Sequence, residues 1–128
     1  MLKLHRVGIV CNNAEYLQQK ALLEVTIPGR DLLSQIASEF ECECHLLDNI
    51  EWVVPYGGSL LRWYGQQGKA SIHHIAIEVQ DIHDSCNKLT SMGIRLVTKT
   101  PTVGVGNILV NFIRSTVLGI ILELVQIQ

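Results

Sequence analysis

The chain has 128 residues, 48% of them apolar and 17% charged, which suits one folded domain with a real core and excludes intrinsic disorder. The formal net charge is −2, with no block or stripe of Lys and Arg, which argues against nucleic acid or an anionic membrane surface as the partner. No apolar run has bilayer-spanning length, since Val117 to Val125 is broken by Gly119 and Glu123. Met1-Leu2-Lys3-Leu4-His5-Arg6 has no apolar stretch ahead of a small-residue cleavage site, so no secretory signal is expected and the cytoplasm is the expected compartment. The cysteines are Cys11, Cys42, Cys44 and Cys86. No second pair stands at zinc-site spacing, so all four are expected as buried, reduced thiols.

In chain order, Leu4 to Cys11 reads as a strand that stops at Asn12-Asn13, a turn and helix-start signal. Ala14 to Val25 reads as a helix, broken by Pro28-Gly29. Asp31 can cap a second helix, because Leu32, Leu33, Ile36, Ala37 and Phe40 follow the helical period. Glu41 to Leu47 and Ile50 to Val54 form a hairpin about Asp48-Asn49, and a short helix is expected over Ser59 to Gln66. Then the order starts again. Ile72 to Val79 is a strand, Asp81 to Met92 a helix closed by Gly93, and Ile94 to Thr98 a strand halted by Pro101. Asn107 to Ile113 and Leu118 to Gln126 form the last hairpin.

The two halves match when laid side by side. Leu4 to Ile9 lies over Ile72 to Ile77, and Asn49 to Val53 over Ile121 to Val125. The expected architecture is therefore α+β: two βαβββ modules with mixed sheets curling around a shared cleft. The modules span about residues 1–56 and 71–128 of one domain, with a linker over 57–70, and the second strand is indistinct in the first copy. Side chains alternate along a strand, so placing the apolar set under the helices turns Arg6, Glu51, His74 and Glu123 to the opposite, concave face. Burying such charges unpaired is costly. Parity leaves two readings open: a structural network in which Arg6 neutralises Glu51 or Glu123, or a metal or catalytic site.

The second half, through Ile72 to Val79, Asp81-Ile82, Leu89 to Leu96, Pro101 to Asn107 and Gly119 to Leu124, resembles the vicinal oxygen chelate superfamily, the group of glyoxalase I and the bleomycin-resistance proteins. Within that group it is most similar to the methylmalonyl-CoA epimerases. Ser59 to Gly68, with Trp63, resembles the family's linker helix, and the first half matches at Leu4 to Val10 and Ile50 to Pro55. The resemblance implies paired βαβββ units, frequent homodimers and a divalent metal such as Zn, Co, Mn, Ni or Mg. Carried over by position, the ligand places fall on Arg6, Glu51, His74 and Glu123. Glu51, His74 and Glu123 can ligate, but Arg6 stays protonated and has no lone pair to give. A β-bulge could bring His5 inward instead. Otherwise Arg6 pairs with a glutamate or holds a substrate carboxylate or phosphate.

The epimerase resemblance implies an enzyme that removes a proton beside a carbonyl or acyl-CoA thioester, with the enolate stabilised electrostatically. Glu123 is then a ligand and catalytic, and Glu43 is the candidate base of the first half. Which face Glu41, Glu43 and His45 take depends on the turn. A two-residue turn at Asp48-Asn49 pairs Leu46 with Glu51 and sends the three toward the helices, whereas a three-residue loop sends them into the cleft. The apolar set Cys42, Cys44 and Leu46 favours the longer loop. The loop at Gly104, Gly106 and Asn107 is expected to approach substrate backbone-first. Two alternatives stand: a metal-free protein that sequesters a small molecule, and a lactoylglutathione-lyase-like enzyme. His73 reads as an outward or hydrogen-bonded strand histidine, His83 as solvated, and Trp52 and Trp63 as packing residues.

Overall fold

The computed structural model describes residues 3–117 and 119–128, with 115–117 described by their backbone only. The elements in order are β1 (Leu4–Val10), α1 (Asn13–Thr26), β2 (Leu33–Ala37), one turn of 3-10 helix (Ser38–Phe40), β3 (Cys42–Leu47), β4 (Ile50–Pro55) and α2 (Gly58–Gln67). They continue with β5 (Ser71–Glu78), α3 (Ile82–Ser91), β6 (Thr102–Gly104), β7 (Ile108–Val117) and β8 (Ile120–Ile127). The chain divides into two compact units, Gly8–Ile72 on one side and Met1–Val7 with His73–Gln128 on the other. β1 gives its first half to the second of these and its second half to the first.

In the Gly8–Ile72 unit the strand order is β2-β3-β4-β1. α1 starts where a capping box forms: Asn12 Oδ1 accepts from the Glu15 backbone N–H at 2.7 Å, and the Asn12 backbone N–H donates to Glu15 at 2.9 Å. Trp52, Tyr16, Cys11 and Leu47 form one core cluster with Leu23 of α1 beside it. Val10, Cys42, Cys44 and Val53 form a second, packed against Leu60, Trp63 and Tyr64 of α2. The expected packing roles of Trp52, which is buried, and Trp63, which is partly buried, hold.

The second helix expected from Asp31 is not formed. Leu33–Ala37 is instead a strand, paired antiparallel with β3 from Leu33 opposite Leu46 to Ala37 opposite Cys42. A short apolar run at helical spacing does not by itself distinguish helix from strand, and here the β3 ladder supplies the hydrogen bonds. Leu33 and Ile36 stay 58% and 67% exposed, while Leu32 and Ala37 pack against the core, so the run that imitated an amphipathic helix is split between solvent and core. This strand is the one that was indistinct in the first copy. With it, the unit follows the βαβββ order.

In the other unit the strand order is β1-β5-β8-β7-β6, with β5 and β8 parallel and β8, β7 and β6 antiparallel. Leu124 packs with Ile82 and Cys86 of α3, and Ala76, Ile108, Val110 and Val125 fill the opposite face. The expected strand Ile94–Thr98 reduces to a single bridge, Leu96 to Ile113. The strand proper comes after Pro101, at Thr102–Gly104. The reason is a side chain. Buried Asn111 holds Thr98, accepting from its Oγ at 3.1 Å and donating to its carbonyl at 3.0 Å, which takes the place of ladder bonds there. Leu118, the expected start of the last strand, lies outside the described residues. No helix among the described residues is long and apolar enough to cross a membrane.

Candidate active site

Three of the four expected inward side chains meet in one unit. Burial alternates regularly along β1, so Arg6 faces one side and His5 and Val7 the other, with no bulge. The parallel register of β5 on β8 sets Ala76 opposite Glu123, and the antiparallel register of β7 sets Phe112 opposite it. Glu123 thus rises between a methyl group and a phenyl ring, which leaves its carboxylate dependent on charged partners. Arg6 Nη2 stands 3.8 Å from one carboxylate oxygen and His74 Nε2 stands 3.4 Å from the other. All three residues are buried: Arg6 is 5% exposed, His74 6% and Glu123 3%.

The second ring nitrogen of His74 is also committed. Its Nδ1 lies 3.0 Å from Nδ1 of half-buried His73, and Phe112 meets the His74 ring edge-on at 6.1 Å. His74 Nε2 therefore lies within ion-pair distance of Glu123, while the Nδ1 atoms of His73 and His74 share one hydrogen bond whose donor depends on the tautomers. His73, His74 and Glu123 thus stand in a line of neighbouring polar groups. The expected bonding of His73 is found, while the line it forms toward Glu123 was not foreseen. His83 is exposed, as expected.

Glu51 lies in the other unit, on β4, 5% exposed and directly opposite Leu46. That register closes the Asp48-Asn49 turn at two residues, with Asp48 in the left-handed region at φ 50°. The three-residue loop that the apolar set favoured is therefore corrected. Cys42 and Cys44 need no α1 contact, because Val10, Val53 and α2 cover them. Glu43 and His45 fall on the opposite face of the hairpin from Glu51, opposite Val54 and Trp52.

There His45 forms a second network that sequence reasoning missed. Its ring stacks on Tyr16 at 3.7 Å and 10°, its Nδ1 lies 2.7 Å from Ser34 Oγ, and its Nε2 lies 3.4 Å from Glu43. Burial, with help from Lys20 and against Glu43, holds the His45 pKa below its ordinary 6.5, so the ring is neutral near pH 7. Beside it a cavity of about 380 Å³ is lined by Tyr16, Lys20, Leu23, Arg30, Ser34 and Leu47 among others. Arg30 also pairs with Asp48.

All four cysteines are buried thiols outside any disulfide. Burial first, and Glu15 second, push the Cys11 thiol up to about 11. A hydrogen bond from the Cys44 thiol, 3.8 Å away, draws the Cys42 pKa down. In the β6–β7 turn Gly104 has a packing role: a Cβ there would come 2.9 Å from Val110. Gly106, at φ +90°, has open space around it, and Asn107 sits at φ 59°.

The donors do not fit a divalent metal. Among the described residues no three His, Cys, Asp or Glu side chains stand together as a ligand group. His74 and Glu123 offer two donors, but the Arg6 guanidinium already holds one edge of that carboxylate. A divalent ion about 4 Å from a guanidinium meets a repulsion on the order of 8 kcal/mol at an effective dielectric of ~20.

No family model matches the chain, and no curated protein matches it at a significant level. Solved structures do. The chain superposes on the methylmalonyl-CoA epimerase of Mycobacterium tuberculosis with a TM-score of 0.84 at 24% identity, covering 98% of this chain and 88% of that one. The fold is that of the methylmalonyl-CoA epimerases. A methylmalonyl-CoA epimerase in complex with methylmalonyl-CoA and NH4+ gives a TM-score of 0.85 at 17% identity over 99% and 95% of the two chains. A Streptomyces coelicolor methylmalonyl-CoA epimerase variant in complex with 2-nitronate-propionyl-CoA gives 0.84 at 18% identity over 99% and 96%. The α+β, glyoxalase-like architecture expected from the sequence is thereby established.

Proposed function

We propose that this protein is an isomerase of the epimerase kind that moves a proton at the carbon beside a carbonyl, with acyl-CoA thioesters as its substrate class. The observation that carries this reading is the buried His74–Glu123 pair, 3.4 Å apart, on a fold shared with epimerases crystallised with methylmalonyl-CoA and with 2-nitronate-propionyl-CoA. A carboxylate held among apolar neighbours is an effective base toward a weakly acidic C–H, because it gives up little hydration on reacting. Glu123 accepts the α-proton and exchanges it with water before it is returned. Gly106 and Asn107, at an open turn, meet the substrate through their backbone. A cytoplasmic homodimer belongs to the same reading, and sedimentation of the purified protein checks the dimer.

The test is α-proton exchange of methylmalonyl-CoA in D2O, followed by mass spectrometry. Deuterium incorporation that depends on the protein supports the reading. No incorporation above background with methylmalonyl-, ethylmalonyl- or related thioesters contradicts it. The Arg6–Glu123 ion pair favours a second reading, a binding protein that holds an acyl thioester without turning it over. Saturable binding by calorimetry with no exchange would select it.

A further inference from the structure

We propose that Arg6 is the resident cation of this site, so that the enolate formed there is stabilised by a guanidinium and no divalent metal takes part. The proposal rests on the proton-transfer reading above and adds to it the group that carries the developing charge.

Strand alternation aims Arg6 at the same face as His74 and Glu123, and the side chain is 5% exposed with Nη2 3.8 Å from the carboxylate. At that length the contact is an ion pair rather than a close hydrogen bond. A guanidinium cannot be deprotonated in this setting, and it carries five N–H donors in a rigid fork. It therefore serves as a permanent positive charge that can turn a donor edge to an oxyanion.

Charge and electrons balance around it. In the resting site the positive Arg6 stands beside the negative Glu123. When Glu123 takes the α-proton, the C–H bond breaks and its electron pair moves into the new C=C bond. The former carbonyl π pair comes to rest on oxygen. Glu123 becomes neutral as the enolate oxygen becomes negative, so the buried cation exchanges one anionic partner for another. The net charge of the site does not change, and that keeps the step affordable in a buried setting. Return of the proton from Glu123 restores the pair and the starting isomer; the epimer forms when a proton from water reaches the opposite face of the enolate and Glu123 releases its own proton to water. The substrate class that fits is an acyl thioester with an acidic α-hydrogen at the reacting end.

The experiment titrates cobalt(II) into chelator-treated wild type and Arg6→His, reading the visible spectrum and bound metal, and measures deuterium exchange with and without EDTA in parallel. Wild type is expected to bind less than about 0.1 cobalt per chain and to exchange equally well in EDTA. Arg6→His, which supplies a third donor in place of a cation, is expected to bind roughly one cobalt with a d–d spectrum. Arg6→Lys is expected to keep measurable exchange and Arg6→Gln to lose it, which reads the charge without requiring the histidine variant to fold. One cobalt per wild-type chain, removed by His74→Ala, would overturn the proposal, as would exchange abolished by EDTA and restored by metal. Absence of uptake by a folded Arg6→His would overturn it too, since Arg6 would then not be what keeps metal out. The cobalt arm gives its answer even if no thioester exchanges, so failure of the cation proposal and failure of the epimerase reading are separable.

Discussion

Two histidines in this molecule are set up alike and surrounded differently. His45 and His74 each hold Nε2 3.4 Å from a glutamate oxygen and commit Nδ1 to a hydrogen bond. The Glu43 side chain beside His45 is 49% exposed, whereas that of Glu123 beside His74 is 4% exposed. Water solvates the first carboxylate, so its imidazole can remain neutral and serve structure, bridging β2 to β3 through Ser34. The second carboxylate has lost its water and is held by a guanidinium and an imidazole. The same pair of residue types thus gives a structural network with a solvated carboxylate in one unit and a candidate base in the other, and the difference lies in burial of the carboxylate and in the third partner.

The largest effect expected from breaking this contrast is on stability. Arg6→Met should destabilise the protein by about 3–5 kcal/mol, because it leaves the Glu123 carboxylate buried without its guanidinium. Arg6→Met with Glu123→Leu should recover much of that loss, since both charges go together. Denaturant melts of the four proteins in the cycle measure this, and strictly additive losses would dissolve the pair. On the other side, Ser34→Ala should cost only about 1 kcal/mol, the worth of one half-exposed hydrogen bond, and leave α-proton exchange alone.

A pH series reads the His45 network next. The folded-state pKa is depressed below the ordinary 6.5, so the unfolded chain binds more protons between the two values. The contribution is therefore whole above about pH 6.5 and is lost as the pH falls toward the folded value. Thermal melts should drop over that range in wild type and drop less in His45→Gln; equal slopes would contradict the assignment. The smallest effect is expected at His73. His73→Phe should keep the fold and change the exchange rate by less than about 5-fold, through the lost hydrogen bond to His74 Nδ1.

Much of the active unit was legible in the sequence because it rests on strand parity, which is local. Leu4-His5-Arg6 and Ile72-His73-His74 alternate cleanly, so Arg6 and His74 share a face wherever their strands pair, and Glu123 follows from Leu122 and Leu124. Parity failed where a choice of one residue decided it. The Asp48-Asn49 turn could close on two residues or three, and that difference alone decides which face Glu43 takes. Leu33 and Ile36 followed a helical period while lying exposed in a strand, because the backbone of β3 rather than any apolar face claimed that segment. Asn111 gave no signal either, since a lone buried amide declares itself only through the carbonyl and hydroxyl of Thr98 that it holds.

The central claim is that the buried glutamate, and not its exposed counterpart, moves the proton. Deuterium incorporation into methylmalonyl-CoA by wild type, Glu123→Gln and Glu43→Gln tests it most directly. The account predicts a loss of about 100-fold or more for Glu123→Gln and a change within roughly 3-fold for Glu43→Gln. Exchange that survives in folded Glu123→Gln, or is lost in Glu43→Gln, would contradict it.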